Sequence, residues 1–159
     1  MAVTIRRARA DDAAELVQVA RRSIEVTAAP FYETRQLDVW LEMFTDERMR
    51  RFAEGAEGFA AVAESTISGF AGLVVRADGD GEIEFLHVRP EFAGRGVARQ
   101  LIEAVEDAAR QRSLDHLWAD ASLLARPVLE HLGYSLIEAY VKAVRGATFD
   151  NAWLCKSLA

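Results

Sequence analysis

The stretch EIEFLHVRPEFAGRGVA, residues 82–98, constrains the fold of this chain more than any other part of the sequence. It begins as a β-like run that ends at Pro90, and a loop with Gly94 and Gly96 then opens a long amphipathic helix at Val97. Glycines at such a position let the backbone approach a ligand, and the N–H groups of a helix N-terminus bind anions. The pattern predicts a strand–loop–helix unit with an anion site, although a Gly-x-Gly pair can also cap a helix without any ligand.

The charge of the loop is opposite to that of the chain as a whole. The chain carries 19 Lys and Arg against 25 Asp and Glu, for a formal net charge of −6. This balance argues against a general nucleic-acid partner, because such binding rests on basic residues that meet phosphates. Around the glycines, however, Arg89, Arg95 and Arg99 stand against Glu91 alone. The local positive excess indicates a phosphate-bearing ligand.

Single residues exclude two common phosphate-binding motifs. A Walker loop needs Gly-Lys-Ser/Thr, but Gly96 is followed by Val97. The dinucleotide fingerprint needs Gly or Ala where Arg99 stands, and it opens on the first strand of a βαβ unit. The ligand is therefore of another phosphate-bearing kind.

The rest of the chain is typical of one α/β domain. Apolar runs bounded by turn residues predict strands, and apolar residues at three- and four-residue steps predict helices. The predicted strands cover residues 3–7, 58–63, 67–76, 82–88, 114–121, 134–144 and 148–158, and the predicted helices lie between Asp12 and Ala28, over 37–52, from Val97 onward and over 123–132. This order predicts a single domain over residues 1–159, built on one mixed sheet.

Composition excludes several classes of protein. The single cysteine, Cys155, excludes an internal disulfide and a Cys-rich metal site, and the three histidines share no metal-ligand spacing, so we expect no bound metal. No apolar run approaches the roughly 20 residues of a membrane helix. Charged residues follow the N-terminus too soon for a signal peptide. We therefore expect a cytoplasmic protein with no membrane partner.

The order and spacing of several segments resemble the GNAT superfamily of N-acetyltransferases. Gly96 and Ala98 match the last two fixed positions of the family motif Gln/Arg-x-x-Gly-x-Gly/Ala, while Ala93 departs from its first position. Residues 86–92, LHVRPEF, match the usual strand-to-loop lead-in. Three further segments resemble a small-molecule branch of the family. They are ASLLARP at 121–127, LGY at 132–134, and Arg145-Gly146 with Asn151.

This resemblance implies both a fold and a reaction. The implied fold is a central mixed, mostly antiparallel twisted sheet of about six or seven strands, flanked by about four helices. Acetyl-CoA would lie in a cleft between two splayed parallel strands, here residues 82–88 and 117–122. The implied function is the transfer of an acetyl group from acetyl-CoA to the primary amine of a small molecule, by direct attack in a ternary complex.

The resemblance also assigns residues to acetyl-CoA. The backbone of Leu86, His87 and Val88 would meet the pantetheine arm, and a backbone N–H there would polarise the thioester carbonyl as an oxyanion hole does. On the neighbouring strand, Ser122 would also contact acetyl-CoA. The phosphates would bind at the helix start, on Gly94, Arg95, Gly96, Val97, Ala98 and Arg99.

Glu84 is the candidate general base, because an alkylamine is mostly protonated at neutral pH and must lose a proton before it attacks. Strict alternation along the strand places Glu84 on the face of Leu86 and Val88, opposite His87. A carboxylate among apolar neighbours would have a raised pKa, which suits a general base acting through water. The alternative is a carboxylate that points to solvent or pairs with an arginine, and Glu82 is the reserve.

The usual general acid of the family is absent. A tyrosine normally stands four residues before the helix-ending glycine, and Leu129 occupies that position. Tyr134 or Ser122 could protonate the leaving thiolate instead. Without an acid the enzyme would be slower rather than inactive, because a thiol has a pKa of about 8.5 and its thiolate leaves tolerably unaided.

Three functions remain open. The first is an N-acetyltransferase, monomeric or homodimeric, whose small-amine pocket includes Ser23, Tyr32 and Trp40, although core packing also explains Trp40. The second is a sensor or partner module that binds CoA or acetyl-CoA with little or no catalysis, which Ala93 and Leu129 favour. The third is a protein N-acetyltransferase, but no acidic or aromatic peptide-binding stripe is evident in the sequence.

Overall fold

The computed structural model describes residues 2–55 and 57–159. Its strands are β1 (Thr4–Arg7), β2 (Glu57–Ala63), β3 (Thr66–Val75), β4 (Gly81–Val88), β5 (His116–Ala121), β6 (Ser135–Val144) and β7 (Ala147–Ser157). They form one seven-stranded sheet in the order β1-β2-β3-β4-β5-β7-β6. Every neighbouring pair is antiparallel except β4 and β5, which run parallel. The prediction of a mixed, mostly antiparallel sheet is confirmed.

Five helices flank the sheet in the described part of the chain: α1 (Ala13–Arg22), α2 (Thr34–Glu42), α3 (Asp46–Gly55), α4 (Val97–Gln111) and α5 (Ala125–His131). The continuous helix expected over 37–52 is wrong, because the chain breaks between α2 and α3. Thr45 caps α3 at this break, where its Oγ1 accepts a hydrogen bond from the Arg48 N–H at 3.2 Å. None of these helices is both long and apolar enough to cross a bilayer.

Two apolar clusters on opposite faces of the sheet hold the helices in place. Leu101 and Val105 of α4 belong to the cluster on one face. Leu16 of α1, Met49 of α3 and Phe70 of β3 belong to the cluster on the other face. All five side chains are fully buried, and burial of each such side chain is worth about 1.5–3 kcal/mol.

The chain changes helical geometry after α1. One π-helical turn, Ser23–Ala28, leads into a short 3-10 turn, Ala29–Phe31. The irregular segment brings α2 against β7, where the Gln36 side chain donates a hydrogen bond to the Thr148 carbonyl at 2.6 Å. The π-helical turn therefore lies in a segment that packs beside the sheet. Turns of this kind occur frequently at functional sites.

A β-bulge in β4 reverses the predicted orientation of Glu84. Gly72 pairs with Glu84 and Ala71 pairs with Leu86, so Phe85 is an extra residue, and it has a φ of +62°. Simple alternation does not continue through a bulge. Glu84 therefore shares a face with His87, while Leu86 lies on the opposite face. The prediction that Glu84 lies on the face of Leu86 and Val88 is wrong for this reason.

The parallel strands β4 and β5 separate soon after they meet. Only Gly81 with Leu117 and Glu82 with Trp118 are paired. Beyond these two pairs the facing edges of the strands diverge and leave a gap in the middle of the sheet. The prediction of two splayed parallel strands is confirmed.

We predict that Gly72→Ala destabilises the protein. An added Cβ would lie 2.6 Å from Cε1 of Phe52 and 3.2 Å from the backbone oxygen of Glu57. The Phe52 ring packs against Phe85, with centroids 5.5 Å apart, and cannot withdraw freely. The free energy of unfolding in urea should fall by about 1–3 kcal/mol.

Gly55→Ala is the matched control, because a Cβ there meets nothing within 4 Å. It should change the free energy of unfolding by less than about 0.5 kcal/mol. Equal effects of the two substitutions would contradict the packing described around Gly72.

Candidate active site

A cleft of about 330 Å³ opens where β4 and β5 separate. Apolar and aromatic side chains form much of its lining, among them Leu86, Leu129 and Phe149. Its charged side chains are Arg48, Glu82, Glu84, Asp120 and Lys142. An apolar cleft with a few convergent polar groups is the usual form of a small-molecule site.

Glu84 lies in this cleft with an unsatisfied carboxylate. Its Oε1 is buried and has no hydrogen-bond partner among the described residues. Burial raises the pKa of Glu84 above its ordinary value, the Arg48 guanidinium lowers it, and Glu82 adds to the rise. A buried polar atom without a partner costs free energy, and carboxylates in such positions are candidates for proton transfer.

Arg48 holds a positive charge beside Glu84. Its guanidinium carbon lies 4.9 Å from the centroid of the Phe85 ring, and its Nη1 donates a hydrogen bond to the Met43 carbonyl at 2.8 Å. These contacts fix the side chain, while burial lowers the pKa of Arg48. The cation moderates the rise in the pKa of Glu84 without pairing directly with its buried oxygen.

His87 is a buried neutral group beneath the cleft. Its ring packs against the rings of Trp40, Phe44 and Phe70, at centroid separations of 6.0, 5.0 and 5.6 Å. Burial lowers the pKa of His87 to about 4, so the ring is uncharged at neutral pH. Its Nδ1 lies 3.3 Å from Oγ of Ser23. Ser23, expected in the acceptor pocket, is itself buried and is in contact with His87 rather than on the cleft wall.

Tyr32 and Trp40, the other two predicted acceptor residues, do line the cleft. Their rings meet edge to face with centroids 5.3 Å apart, and the Tyr32 ring also contacts Phe149 at 6.0 Å. The Tyr32 hydroxyl accepts a hydrogen bond from the Leu123 N–H at 2.9 Å. These rings form an aromatic part of the cleft lining.

Sequence reasoning missed a polar cluster around Asp120. Its Oδ1 accepts hydrogen bonds from the Tyr140 hydroxyl at 2.8 Å and the Asn151 amide at 2.9 Å, and its Oδ2 accepts one from Lys142 at 2.8 Å. The partners come from β6 and β7, whose register against β5 is not visible in the sequence. The available signal was a single carboxylate inside a mostly apolar strand. Glu82 lies nearby, and burial raises its pKa.

The start of α4 has the geometry of an anion site. Gly94 and Gly96 have φ values of +74° and +80°, a left-handed backbone that glycine adopts at no steric cost. The first hydrogen bond of the helix runs from the Gln100 N–H to the Gly96 carbonyl at 3.1 Å. The N–H groups of the three residues between them have no acceptor within the helix. Arg95 and Arg99 are exposed beside these groups.

Arg89 and Glu91, the other two charged residues near the glycines, are paired with groups elsewhere in the structure. Arg89 donates to a carbonyl of β3 at 2.8 Å and lies 3.9 Å from Glu15. Glu91 is paired with Arg22. The positive charge at the helix start therefore comes from the remaining two arginines alone.

Of the groups considered as general acids, Ser122 lies in the cleft and Tyr134 does not. The Ser122 hydroxyl accepts a hydrogen bond from the Ala125 N–H at 3.1 Å, at the start of α5. Tyr134 is 3% exposed, and its hydroxyl donates to Oε2 of Glu106 at 2.8 Å. Burial raises the pKa of Tyr134 far above its ordinary value. The structure places Tyr134 in the core, contrary to its candidate role as the acid.

The sequence model described as the acetyltransferase (GNAT) family matches residues 11–134. The chain belongs to the GNAT family. Membership makes the protein an N-acetyltransferase, and its similarity to other GNAT proteins extends over nearly the whole chain.

Relatives and solved structures agree with this membership. The chain is 25% identical over 152 residues to the uncharacterized N-acetyltransferase YafP of Escherichia coli (strain K12), covering 96% of this chain and 94% of that protein. It is 24% identical over 121 residues to spermidine N(1)-acetyltransferase of Thermoplasma acidophilum, covering 72% of this chain and 74% of that protein.

Two solved structures share the GNAT fold with this chain. A GCN5-related N-acetyltransferase (aminotransferase, class-II) from Rhodopseudomonas palustris has a TM-score of 0.89 at 26% identity, covering 99% of this chain and 96% of that chain. The PaiA N-acetyltransferase of Thermoplasma acidophilum, in complex with coenzyme A, has a TM-score of 0.81 at 19% identity and covers 99% of each chain.

We predict that Tyr134→Phe affects stability and not the reaction. Glu106 would lose the phenol hydrogen bond but keep Lys156, whose Nζ lies 3.0 Å from its Oε2. The free energy of unfolding should fall by about 1–3 kcal/mol, and kcat should change by less than about twofold. Urea denaturation and a thiol-release assay measure the two quantities. A hundredfold fall in kcat, typical of a lost general acid, would contradict the buried structural role.

Proposed function

We propose that this protein transfers the acetyl group of acetyl-CoA to the primary amine of a small molecule, by direct attack in a ternary complex, with Glu84 as general base. The observation that carries the proposal is the buried, unpartnered Oε1 of Glu84 in the cleft between the separated strands. The similarity to a spermidine acetyltransferase supports a small amine as acceptor.

The residues around the cleft fit acetyl-CoA, which supplies an activated acetyl thioester. Beyond the two pairs that join β4 and β5, the facing backbone edge of β4 can bind an extended ligand, and we assign the pantetheine arm to Leu86, His87 and Val88. The phosphates are assigned to the start of α4, residues 94–99, where left-handed glycines and helix N–H groups converge. Ser122, which follows β5 directly, would also contact acetyl-CoA. The complex of PaiA with coenzyme A supports this ligand class.

Glu84 would prepare the amine for attack. An alkylammonium ion has no free electron pair, so the base must remove a proton before the C–N bond can form. Because burial raises the pKa of Glu84, the carboxylate is a stronger base than an exposed one, and general bases are most effective when their pKa approaches the working pH. A backbone N–H of β4 near residues 86–88 would stabilise the charge that develops on the carbonyl oxygen.

A second candidate function is a module that binds CoA or acetyl-CoA with little catalysis. The apolar Leu129, which lines the cleft where the family carries a tyrosine, favours it. Glu84 favours the enzyme, because a binding module needs no unpaired carboxylate in the cleft. The two functions differ in one readout, since a module binds acetyl-CoA without releasing CoA thiol when amines are added.

We predict that acetyl-CoA stabilises the protein through the start of α4. A ligand at a hundredfold excess over its Kd should raise Tm by about 5–10 °C for a domain of this size. Gly96→Glu should abolish this shift, because it places a carboxylate beside the assigned phosphate site. Gly79→Glu is the matched control, because Gly79 also has a positive φ, +92°, with open space around it, but lies in a distant turn. No shift with the unmodified protein at millimolar acetyl-CoA would refute the ligand assignment.

We predict that Glu84→Gln lowers kcat/KM by about 10²–10⁴-fold at neutral pH. The loss should shrink as the pH approaches the pKa of the amine, because the amine then loses its proton unaided. In the unmodified enzyme, the rate should fall as the pH decreases through the raised pKa of Glu84, since only the carboxylate accepts a proton. Glu54→Gln, on an exposed position of α3, is the control. A loss that does not vary with pH would indicate a structural role for Glu84.

A further inference from the structure

The cleft lacks the phenol that would protonate the leaving thiolate at the usual position. Leu129 lines the cleft there with an apolar side chain. Tyr134 donates its proton to Glu106 in the core. One other phenol, Tyr32, lines the same cleft, and its hydroxyl lies against the connection from β5 to α5, the helix that carries Leu129.

The surroundings of Tyr32 fix its hydroxyl in the cleft. The ring lies against Trp40 and Phe149, and the hydroxyl oxygen accepts the Leu123 N–H at 2.9 Å. Leu123 follows directly after Ser122, the residue assigned to acetyl-CoA on the β5 side. Because the Tyr32 hydroxyl accepts this hydrogen bond, the hydroxyl proton takes no part in the bond and can be donated to another group.

The electrostatics of Tyr32 suit a proton donor. Burial raises the pKa of Tyr32, so the phenol is protonated at neutral pH, while hydrogen bonds from the Leu123 N–H and the Ser122 side chain act in the opposite direction. The same two groups would stabilise a phenolate once the proton has left. A thiolate in the same cleft loses hydration in the same way, so burial raises the pKa of both partners of the transfer.

We propose that Tyr32 is the general acid of this enzyme and replaces the tyrosine that Leu129 displaces. This inference rests on the proposed function. As the C–S bond breaks, its electron pair goes to sulfur, the O–H bond of Tyr32 breaks, and an S–H bond forms. The nitrogen that has attacked still carries an extra proton, and this proton restores the Tyr32 hydroxyl through water. The enzyme returns to its starting state when Glu84 releases to solvent the proton that it took from the alkylammonium ion.

Other hydroxyls near the cleft are less suited to this role. The Ser122 hydroxyl caps the start of α5, and a serine is a far weaker acid than a phenol. The Tyr140 hydroxyl donates its proton to Asp120 at 2.8 Å, and burial together with that carboxylate raises its pKa.

The test compares acetyl-CoA with acetyl-seleno-CoA, in which selenium replaces the thioester sulfur. A selenolate is a much weaker base than a thiolate and leaves without a proton, while the rest of the donor is unchanged. Tyr32→Phe keeps the ring and its packing. We expect it to lower kcat about 10²-fold with acetyl-CoA and less than about threefold with acetyl-seleno-CoA.

Tyr134→Phe is the matched control, because it removes a phenol hydroxyl outside the cleft; it should leave kcat unchanged with both donors. The rise in Tm with acetyl-CoA shows whether Tyr32→Phe is folded and binds the donor. An equal loss with both donors would show that Tyr32 positions the acceptor and is not the acid, and no loss with acetyl-CoA would refute the proposal as well. If the unmodified protein acetylates no amine, the proposed function itself fails, which is a separate result.

Discussion

The early separation of β4 from β5 is the constraint on which the rest of the site depends. The two strands share only two residue pairs before they diverge, so the sheet is open at its centre instead of at an edge. Backbone N–H and C=O groups inside a protein need hydrogen-bond partners, and the divided strands present such groups to a cleft. The opening also lets side chains from α2, α3, β5 and β7 converge on one volume of about 330 Å³. A continuous parallel pairing of β4 and β5 would leave neither the backbone nor the space for a ligand.

The bulge at Phe85 decides which side chains enter that volume. It turns the Phe85 ring toward Phe44 and Phe70, with centroids 5.5 and 5.9 Å away, and it brings Glu84 to the face that carries His87. Burial then has opposite effects on the two titratable groups. It raises the pKa of Glu84 and lowers the pKa of His87, because in each case it disfavours the charged form. Glu84 is therefore a carboxylate of raised basicity on the same face as a neutral ring.

Much of the fold was predictable because its signals are local. Turn residues, a proline and paired glycines bound most of the strands and the helix that begins at Val97, and the predicted order of these elements matches the structure. The errors arose where a local pattern did not contain the deciding contact. Helical periodicity continues through Thr45, but α2 ends at Glu42, and the Thr45 hydroxyl caps α3. Alternation along β4 is likewise interrupted by a bulge, whose extra residue Phe85 packs against aromatic rings from other elements.

The sequence by itself determined the α/β architecture, the family resemblance and the glycine-rich turn that opens α4 at residues 94–99, because a left-handed glycine backbone and free helix N–H groups are properties of consecutive residues. The tertiary structure decided what the cleft contains. The orientation of Glu84 depends on the register of β3 against β4, and the Asp120 cluster depends on three strands. The hydroxyl of Tyr32 meets the N–H of Leu123 across 91 positions of the chain. Contacts of this kind form only when distant segments pack together, so no pattern of neighbouring residues encodes them.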